Sequence, residues 1–356
     1  YETGTDSVSL IAGQSWGQTF NVTGSGSYTV NRISIWLTDD NAPAEQTVTV
    51  SLREVWGTPT TKFATINSKV IAVFGFIMAH TLSEIIRILD NLAPPSLAEE
   101  WDNSGLQLGD PAWPVKKIWI ALDPTLPVVE AACAQDVDLL ITHHPLIFKP
   151  LKAIEFHTPL GAVLNLATRQ NLAIFAAHTN LDSAPGGLND MLARRIGLKD
   201  LKPLTPGGEA RRSQYDIEPL VSQGPRPGIG RVGRLGKAMD LKSFAQAIKA
   251  KMGLEVLKFA GDPHLSVKKA AVCTGSGSSL LSIFFASGAQ VYVSGDIRYH
   301  DARDIEAASL GVIDIGHFWS ENFIAEALAK QLGTIFVESG INVAIEACDI
   351  ETDPFK

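Results

Sequence analysis

From Met78 onward short apolar runs alternate with amphipathic ones, and this alternation limits the possible folds more than any other feature of the chain. Thr81-x-x-Glu84 is a capping box, and Leu82, Ile85, Ile86, Leu89 and Leu92 follow at helical spacing until Pro94-Pro95 stops them. Lys117 to Leu122, Leu139 to Thr142 and Leu172 to Ala177 read as strands, with helices around Val128 to Gln135 and Leu160 to Arg169 between them. The pattern returns near the C-terminus. Strands at Val267 to Cys273, Val291 to Ser294 and Val312 to Ile315 alternate with helices from Ser279 to Ser287, from Arg303 to Ser309 and onward to Leu332. A short strand that is apolar throughout needs cover on both faces, so the pattern predicts βαβ units and a largely parallel sheet. The expected class is α/β, with lobes at about 78–205 and 237–356. The Gly/Pro-rich stretch Pro203 to Gly236 reads as the crossover between them, about 206–236.

Residues 1–77 are of another kind. They are rich in Thr, Ser, Val and Gly and alternate apolar with polar, as in Tyr28 to Trp36 and Thr47 to Leu52. Turn-forming stretches such as Gly24-Ser25-Gly26 separate the runs, which predicts a small antiparallel β segment ahead of the α/β domain. It resembles part of the β-sandwich modules of bacterial surface proteins. Four or five strands are too few to close two sheets, so an incomplete module or a fusion is expected. Asn21-Val22-Thr23 matches a glycosylation sequon, which matters only in a secretory pathway.

Composition removes several classes of function. Thirty Lys plus Arg face 38 Asp plus Glu, for a formal charge of -8, so no global basic field draws the chain to nucleic acid. Basic residues gather at Arg211-Arg212 and in the series Arg226, Arg231, Arg234, which surface solvation explains as well. Cys133, Cys273 and Cys348 are too few for a disulfide scaffold or a four-thiolate zinc site, and suit a reducing cytoplasm. The longest apolar run, Val70 to Ala79, is about half of a membrane-spanning helix. No membrane partner is expected.

Chemistry gathers at strand ends, where a rigid sheet holds the loops. Leu139 to Ile141 runs into Thr142-His143-His144-Pro145, and Ala173 to Ala177 runs into His178-Thr179-Asn180-Leu181-Asp182. Val291 to Val293 ends in Ser294-Gly295-Asp296 with His300 nearby, and Val312 to Ile315 ends in Gly316-His317 with Glu321 four residues on. A lone histidine on a strand is usually an ordinary hydrogen-bonded residue. Adjacent imidazoles are different, because protonating both sets like charges side by side, whereas a cation accepts both lone pairs. His143, His144, Asp182, His317 and Glu321 are therefore the expected metal ligands. Nitrogen and carboxylate donors without thiolate suit Zn, Mn, Fe, Co or Ni.

Thr142-His143-His144-Pro145-Leu146-Ile147-Phe148, His178-Thr179-Asn180-Leu181-Asp182 and Gly316-His317-x-x-Ser320-Glu321, with Trp101-Asp102-Asn103-Ser104-Gly105-Leu106-Gln107 upstream, resemble the GTP cyclohydrolase 1 type 2 homologues. These are also called Nif-three-like or DUF34 proteins. The resemblance starts at Met78 and omits residues 1–77. It implies an α/β fold around a cleft with two divalent metal ions, and assembly into a homohexamer. It also makes His144 and Asp182 ligands of one ion, His143 and His317 ligands of the other, and Glu321 the bridge. His178, His300 and Asp296 are then the expected catalytic residues, orienting ligands or carrying protons.

Two further stretches carry weaker signals. Thr274-Gly275-Ser276-Gly277-Ser278-Ser279 follows a strand and opens a helix, so it reads either as a phosphate-holding loop or as a tight turn. Gly228-Ile229-Gly230-Arg231-Val232-Gly233 satisfies G-x-G-x-x-G, but Pro225 and Pro227 precede it where a dinucleotide motif needs a strand. Two functions follow. One is a dinuclear metal-dependent hydrolase acting on a small, nucleotide-like molecule with an acidified water between the metals. The other is a non-catalytic metal-binding hexamer serving as scaffold, metal chaperone or regulatory partner.

Overall fold

The computed structural model describes residues 80–205 and 227–355, and ahead of them the strands Asp6–Val8, Phe20–Val22, Glu45–Leu52 and Thr60–Asn67. The chain divides into two compact units, Tyr1–Met78 and Ala79–Lys356. In the first, Asp6–Val8 pairs antiparallel with Phe20–Val22, and Glu45–Leu52 with Thr60–Asn67, from Glu45 opposite Asn67 to Leu52 opposite Thr60. The strand expected at Tyr28 to Trp36 and Thr23 of the sequon lie outside the described residues.

Among the described residues the second unit contains two large sheets and a two-stranded one, His80–Thr81 antiparallel to Pro114–Val115. The five-stranded one runs Ala344–Ala347, Lys117–Ala121, Leu139–Thr142, Ala173–Ala176, Gly105–Leu108, the first four parallel and the last antiparallel. Strand side chains point alternately to opposite faces, and both faces are apolar here. Ile118, Ile120, Leu139, Ile141 and Phe175 pack in one core, Trp119, Ala121, Leu140 and Ile174 in another. The second core is closed by Val128, Val129 and Ala132 of helix Leu126–Ala134 and by Val163 and Ala167 of helix Pro159–Arg169.

The six-stranded sheet runs Leu198–Pro203, Arg231–Asp240, Ser266–Ser276, Val291–Gly295, Gly311–Asp314, Lys258–Ala260. Its three middle strands, Ser266 to Asp314, are parallel, and the flanking ones are antiparallel. Val267, Val272, Val291, Val293 and Ile313 belong to the same core cluster as Ile118 and Phe175 of the other sheet. Leu82, Ile85 and Leu89 of helix Leu82–Leu92, Phe244 and Ile248 of helix Leu241–Met252, and Leu328, Leu332 and Phe336 of helix Ile324–Ser339 fill it. One apolar core therefore joins the two sheets.

The structure departs from the sequence reading where the lobes meet. Leu198–Pro203, expected in the first lobe, pairs with Arg231–Leu235 of the second sheet, while Ala344–Ala347 returns to pair with Lys117–Ile120 of the first. The chain changes sheets just after helix Leu188–Ile196, which ends at Gly197 in the left-handed region with φ 100°. The expected crossover also ends too late: Arg231–Asp240 is a strand, and residues 206–226 of that stretch lie outside the described ones. Gly233 sits in this strand because a Cβ there would meet Leu201 Cδ2 at 2.7 Å and the Lys199 carbonyl at 2.8 Å. Its glycines thus permit close strand approach and do not form a dinucleotide turn. The helix expected from Ser279 starts as a 3-10 turn, Gly277–Leu280, before Leu281–Ala286, and the one expected from Arg303 starts at Tyr299.

Candidate metal centre

The C-terminal ends of both sheets' parallel strands contribute to a cavity of about 880 Å³ whose lining includes His144, His178, Asp182, Gly275, His317 and Glu321. Each functional side chain follows a strand directly. His143 and His144 follow Leu139–Thr142, His178 follows Ala173–Ala176 and precedes the short helix Thr179–Ser183 bearing Asp182, and His317 opens the helix His317–Glu321 after Gly311–Asp314. Glu321 lies four positions after His317 in this helix, which puts both on one face.

Four imidazoles converge, and each is turned the same way. His143 Nδ1 donates to the Ala177 carbonyl at 2.8 Å, His144 Nδ1 to Asp123 Oδ1 at 2.8 Å, His178 Nδ1 to Asp102 Oδ1 at 2.7 Å, and His317 Nδ1 to Asp296 Oδ2 at 2.7 Å. With Nδ1 carrying the hydrogen, every Nε2 points inward and in the neutral ring offers a lone pair there, as a metal-binding histidine held by an outer acceptor does. His144 and His317 bring their Nε2 atoms within 3.3 Å of each other, and Glu321 Oε2 lies 3.1 Å from both. His143 Nε2 lies 3.6 Å from Glu321 Oε1 and 3.9 Å from Asp182 Oδ1.

The donor set fits metal ions on the evidence of its own unsatisfied atoms. Lone pairs facing lone pairs and carboxylates repel unless a cation or protons intervene. His143 Nε2 and Glu321 Oε2 are buried and make no hydrogen bond, which is costly for groups of this polarity. Two sets of three lie close enough to share an ion: His143, His144 and His178, and His144, His317 and Glu321. The N···O separations match the room a cation takes when it sits about 2.0–2.2 Å from each donor.

Electrostatics agree. Burial drives His144 toward neutrality, but the hydrogen bond to Asp123, the 3.1 Å approach to Glu321 and the charge of both carboxylates outweigh it and raise its pKa to about 10. The close approach to Glu321 lifts His317 to about 9 against its own burial. Burial opposes ionisation of Glu321, yet the surrounding imidazoles hold it well below the usual carboxylate range. Burial raises Asp182, with His143 opposing. Positive charge is therefore wanted here.

Of the five expected ligands, His144, Asp182, His317 and Glu321 line this cavity, and His143 is buried beside it, near Asp182 and Glu321. The contacts group His143 with Asp182 at 3.9 Å and His144 with His317 at 3.3 Å, Glu321 presenting one oxygen to each group. This grouping differs from the pairs that the resemblance implies, His144 with Asp182 and His143 with His317. Of the expected catalytic residues, His178 lines the cavity. Asp296, at φ 52°, lies behind His317 as its acceptor. His300 does not join them. It is exposed in the first turn of helix Tyr299–Ala307, its ring against Tyr299, and does not line the cavity.

The glycine- and serine-rich stretch is not a free anion loop. The N–H groups of Thr274, Gly275 and Gly277 already donate to Asn189 Oδ1, Ser320 Oγ and Ser294 Oγ at 3.0, 2.8 and 3.0 Å. The strand simply runs on to Ser276. Several outer residues escaped the sequence reading. Asp123, one residue past a strand-end leucine, obeys the same strand-end rule that found the histidines. Thr274 Oγ1 donates to Asp182 Oδ1 at 3.0 Å, and Asn189 Nδ2 to the Asp182 carbonyl at 3.1 Å, contacts no local pattern signals. Asp102, of the upstream motif, has a buried carboxylate that accepts from His178, Thr179 and Ser104.

Comparison with known proteins follows the same residues. The sequence pattern of the family Duf34/NIF3 (NGG1p interacting factor 3) matches residues 80–354. The chain belongs to the DUF34/NIF3 family. Relatives named GTP cyclohydrolase 1 type 2 homolog include one from Clostridium perfringens, 35% identical over 67% of this chain and 86% of its own. Another, from Clostridium acetobutylicum, is 31% identical over 78% of this chain and 99% of its own. Among solved structures, Staphylococcus aureus protein SA1388 matches with a TM-score of 0.70 and 30% identity over 78% of this chain and 99% of that one. Reduced HcgD from Methanocaldococcus jannaschii matches at 0.63 and 30%, over 77% and 100%. The DUF34/NIF3 match begins at residue 80, so the first unit stands outside it. Among the described residues no helix is long and apolar enough to cross a membrane.

Proposed function

We propose that this DUF34/NIF3 protein is a dinuclear metal-dependent hydrolase of a small nucleotide-like molecule, with His143, Asp182, His144, His317 and Glu321 as metal ligands. The observation that carries this reading is the common orientation of the imidazoles, Nδ1–H outward and Nε2 inward, around a buried carboxylate whose Oε2 has no hydrogen-bond donor. Two divalent ions held there supply Lewis acidity, polarising a substrate oxygen and making water acidic enough to attack near neutral pH. The chain's own residues do the rest. Asp123 and Asp296 fix the rings of His144 and His317 through 2.8 and 2.7 Å hydrogen bonds. Thr274 steadies Asp182. His178, locked by Asp102 and facing the cavity, accepts and returns a proton at Nε2.

His178→Gln tests the assignment. The expected result is protein that keeps its metal content and loses turnover by at least two orders of magnitude in a screen of nucleotides and phosphoesters. If metal-loaded protein consumes no compound of that screen, the non-catalytic metal-binding scaffold replaces this reading. A homohexamer is part of the proposal, and mass measurement in solution tests it.

A further inference from the structure

The rim of the cavity combines two features. Trp101 and Phe148 both line it, yet they stay 58% and 48% exposed, with ring centroids 5.8 Å apart and planes at 60°. Trp101 also meets the His178 ring edge-on at 6.1 Å. The segments bearing these rings are laced together. Asn103 Nδ2 donates to the Ile147 carbonyl at 2.6 Å, and the Ile147 N–H donates to Gln107 Oε1 at 3.2 Å. Asp102, next to Trp101, is buried and accepts bonds from His178, Ser104 and Thr179. Two large rings on a pre-set framework with open faces form a surface on which a flat ligand stacks.

The second feature is charge. Among the described residues lining the cavity there is no Lys or Arg, while Glu99 and Glu100 lie on its wall, away from the proposed metal ligands. Beyond metal ions, polyphosphate sites use cationic side chains or free backbone N–H groups. Here the candidate N–H groups of Thr274, Gly275 and Gly277 are engaged by side chains of the protein itself.

We infer that Trp101 and Phe148 form a clamp for an uncharged planar heteroaromatic ring, and that the substrate is a nucleobase or nucleoside without a phosphate chain. This rests on the hydrolase reading only in placing the ring beside the metal ligands. Stacking on Trp101 sets one edge of the ring toward His178 and the inward-facing imidazoles, and the acidic wall favours ring N–H and amino groups over phosphate.

Calorimetric titration of the full-length, zinc-loaded protein tests this with guanosine, adenosine and cytidine and with their 5′-monophosphates. At least one nucleoside is expected to bind at least tenfold more tightly than its monophosphate. Trp101→Ala should weaken that binding by roughly tenfold or more, and Trp101→Phe should recover most of it. Metal content and solution mass should be unchanged in both variants. Monophosphates binding more tightly, no nucleoside binding, or Trp101→Ala binding like the parent would each overturn the clamp. So would a change of solution mass in Trp101→Ala, which would mark the ring as a contact between copies. Trp101-dependent binding without any product removes the hydrolase reading and leaves the clamp. Turnover of a phosphoester without nucleoside affinity does the reverse.

Discussion

Gly275 shows how closely a single position is tied to the proposed metal centre. At φ +59° it occupies the left-handed region, and a Cβ built there would lie 2.4 Å from Glu321 Oε1 and 3.3 Å from His317 Nε2. Gly275→Ala is expected to displace the Glu321 carboxylate, cutting metal content by more than half while circular dichroism shows a folded protein. Protonation works at the same scale. Without metal, His144 near pKa 10 and His317 near 9 hold protons at pH 7 that a cation must displace. Metal affinity should therefore strengthen as pH rises from 6 toward 9, and loading at pH 7 should release protons, measurable by calorimetry in buffers of different ionisation enthalpy. An affinity independent of pH would contradict this. The five candidate ligand residues were legible because each follows an apolar strand within a few positions. How their side chains group was not, because it depends on the direction in which His143 and His144 leave the strand.

Among the elements, the helix Leu82–Leu92 was readable in full. Its capping box forms, the Thr81 N–H donating to Glu84 Oε2 at 2.9 Å, and Leu82, Ile85 and Leu89 are buried as their spacing requires. Thr81→Ala should lower unfolding free energy by about 1 kcal/mol in denaturant titration without changing metal content. The parallel strands were equally plain, since burial on both faces leaves continuous apolar runs. Leu198–Pro203 was hidden because it is a sheet edge: Lys199 and Asp200 are exposed, and its register with Arg231–Leu235 is interrupted. Arg231–Asp240 was hidden by Gly233 and Gly236, whose composition imitates a loop.

For the DUF34/NIF3 unit as a whole, what sequence could not reveal is long-range pairing. The C-terminal strand Ala344–Ala347 completes the first sheet beside Lys117–Ile120. Beyond it, Glu351 accepts the N–H groups of Leu122 and Asp123 at 2.7 and 2.8 Å, and Asp123 in turn holds His144. A residue 30 positions past Glu321 thereby braces a ligand near the start of the fold. Glu351→Ala should weaken metal binding about tenfold while the unit stays folded, because it frees Asp123 to move. Unchanged affinity in competition with a chelator would remove Glu351 from the account. The central claim is that this cavity binds a pair of ions through Glu321, and elemental analysis of the full-length protein after metal loading and dialysis tests it most directly. The account predicts two ions per chain, falling to one or none in Glu321→Gln; a parent chain without bound metal, or a Glu321→Gln variant retaining both ions, would contradict it.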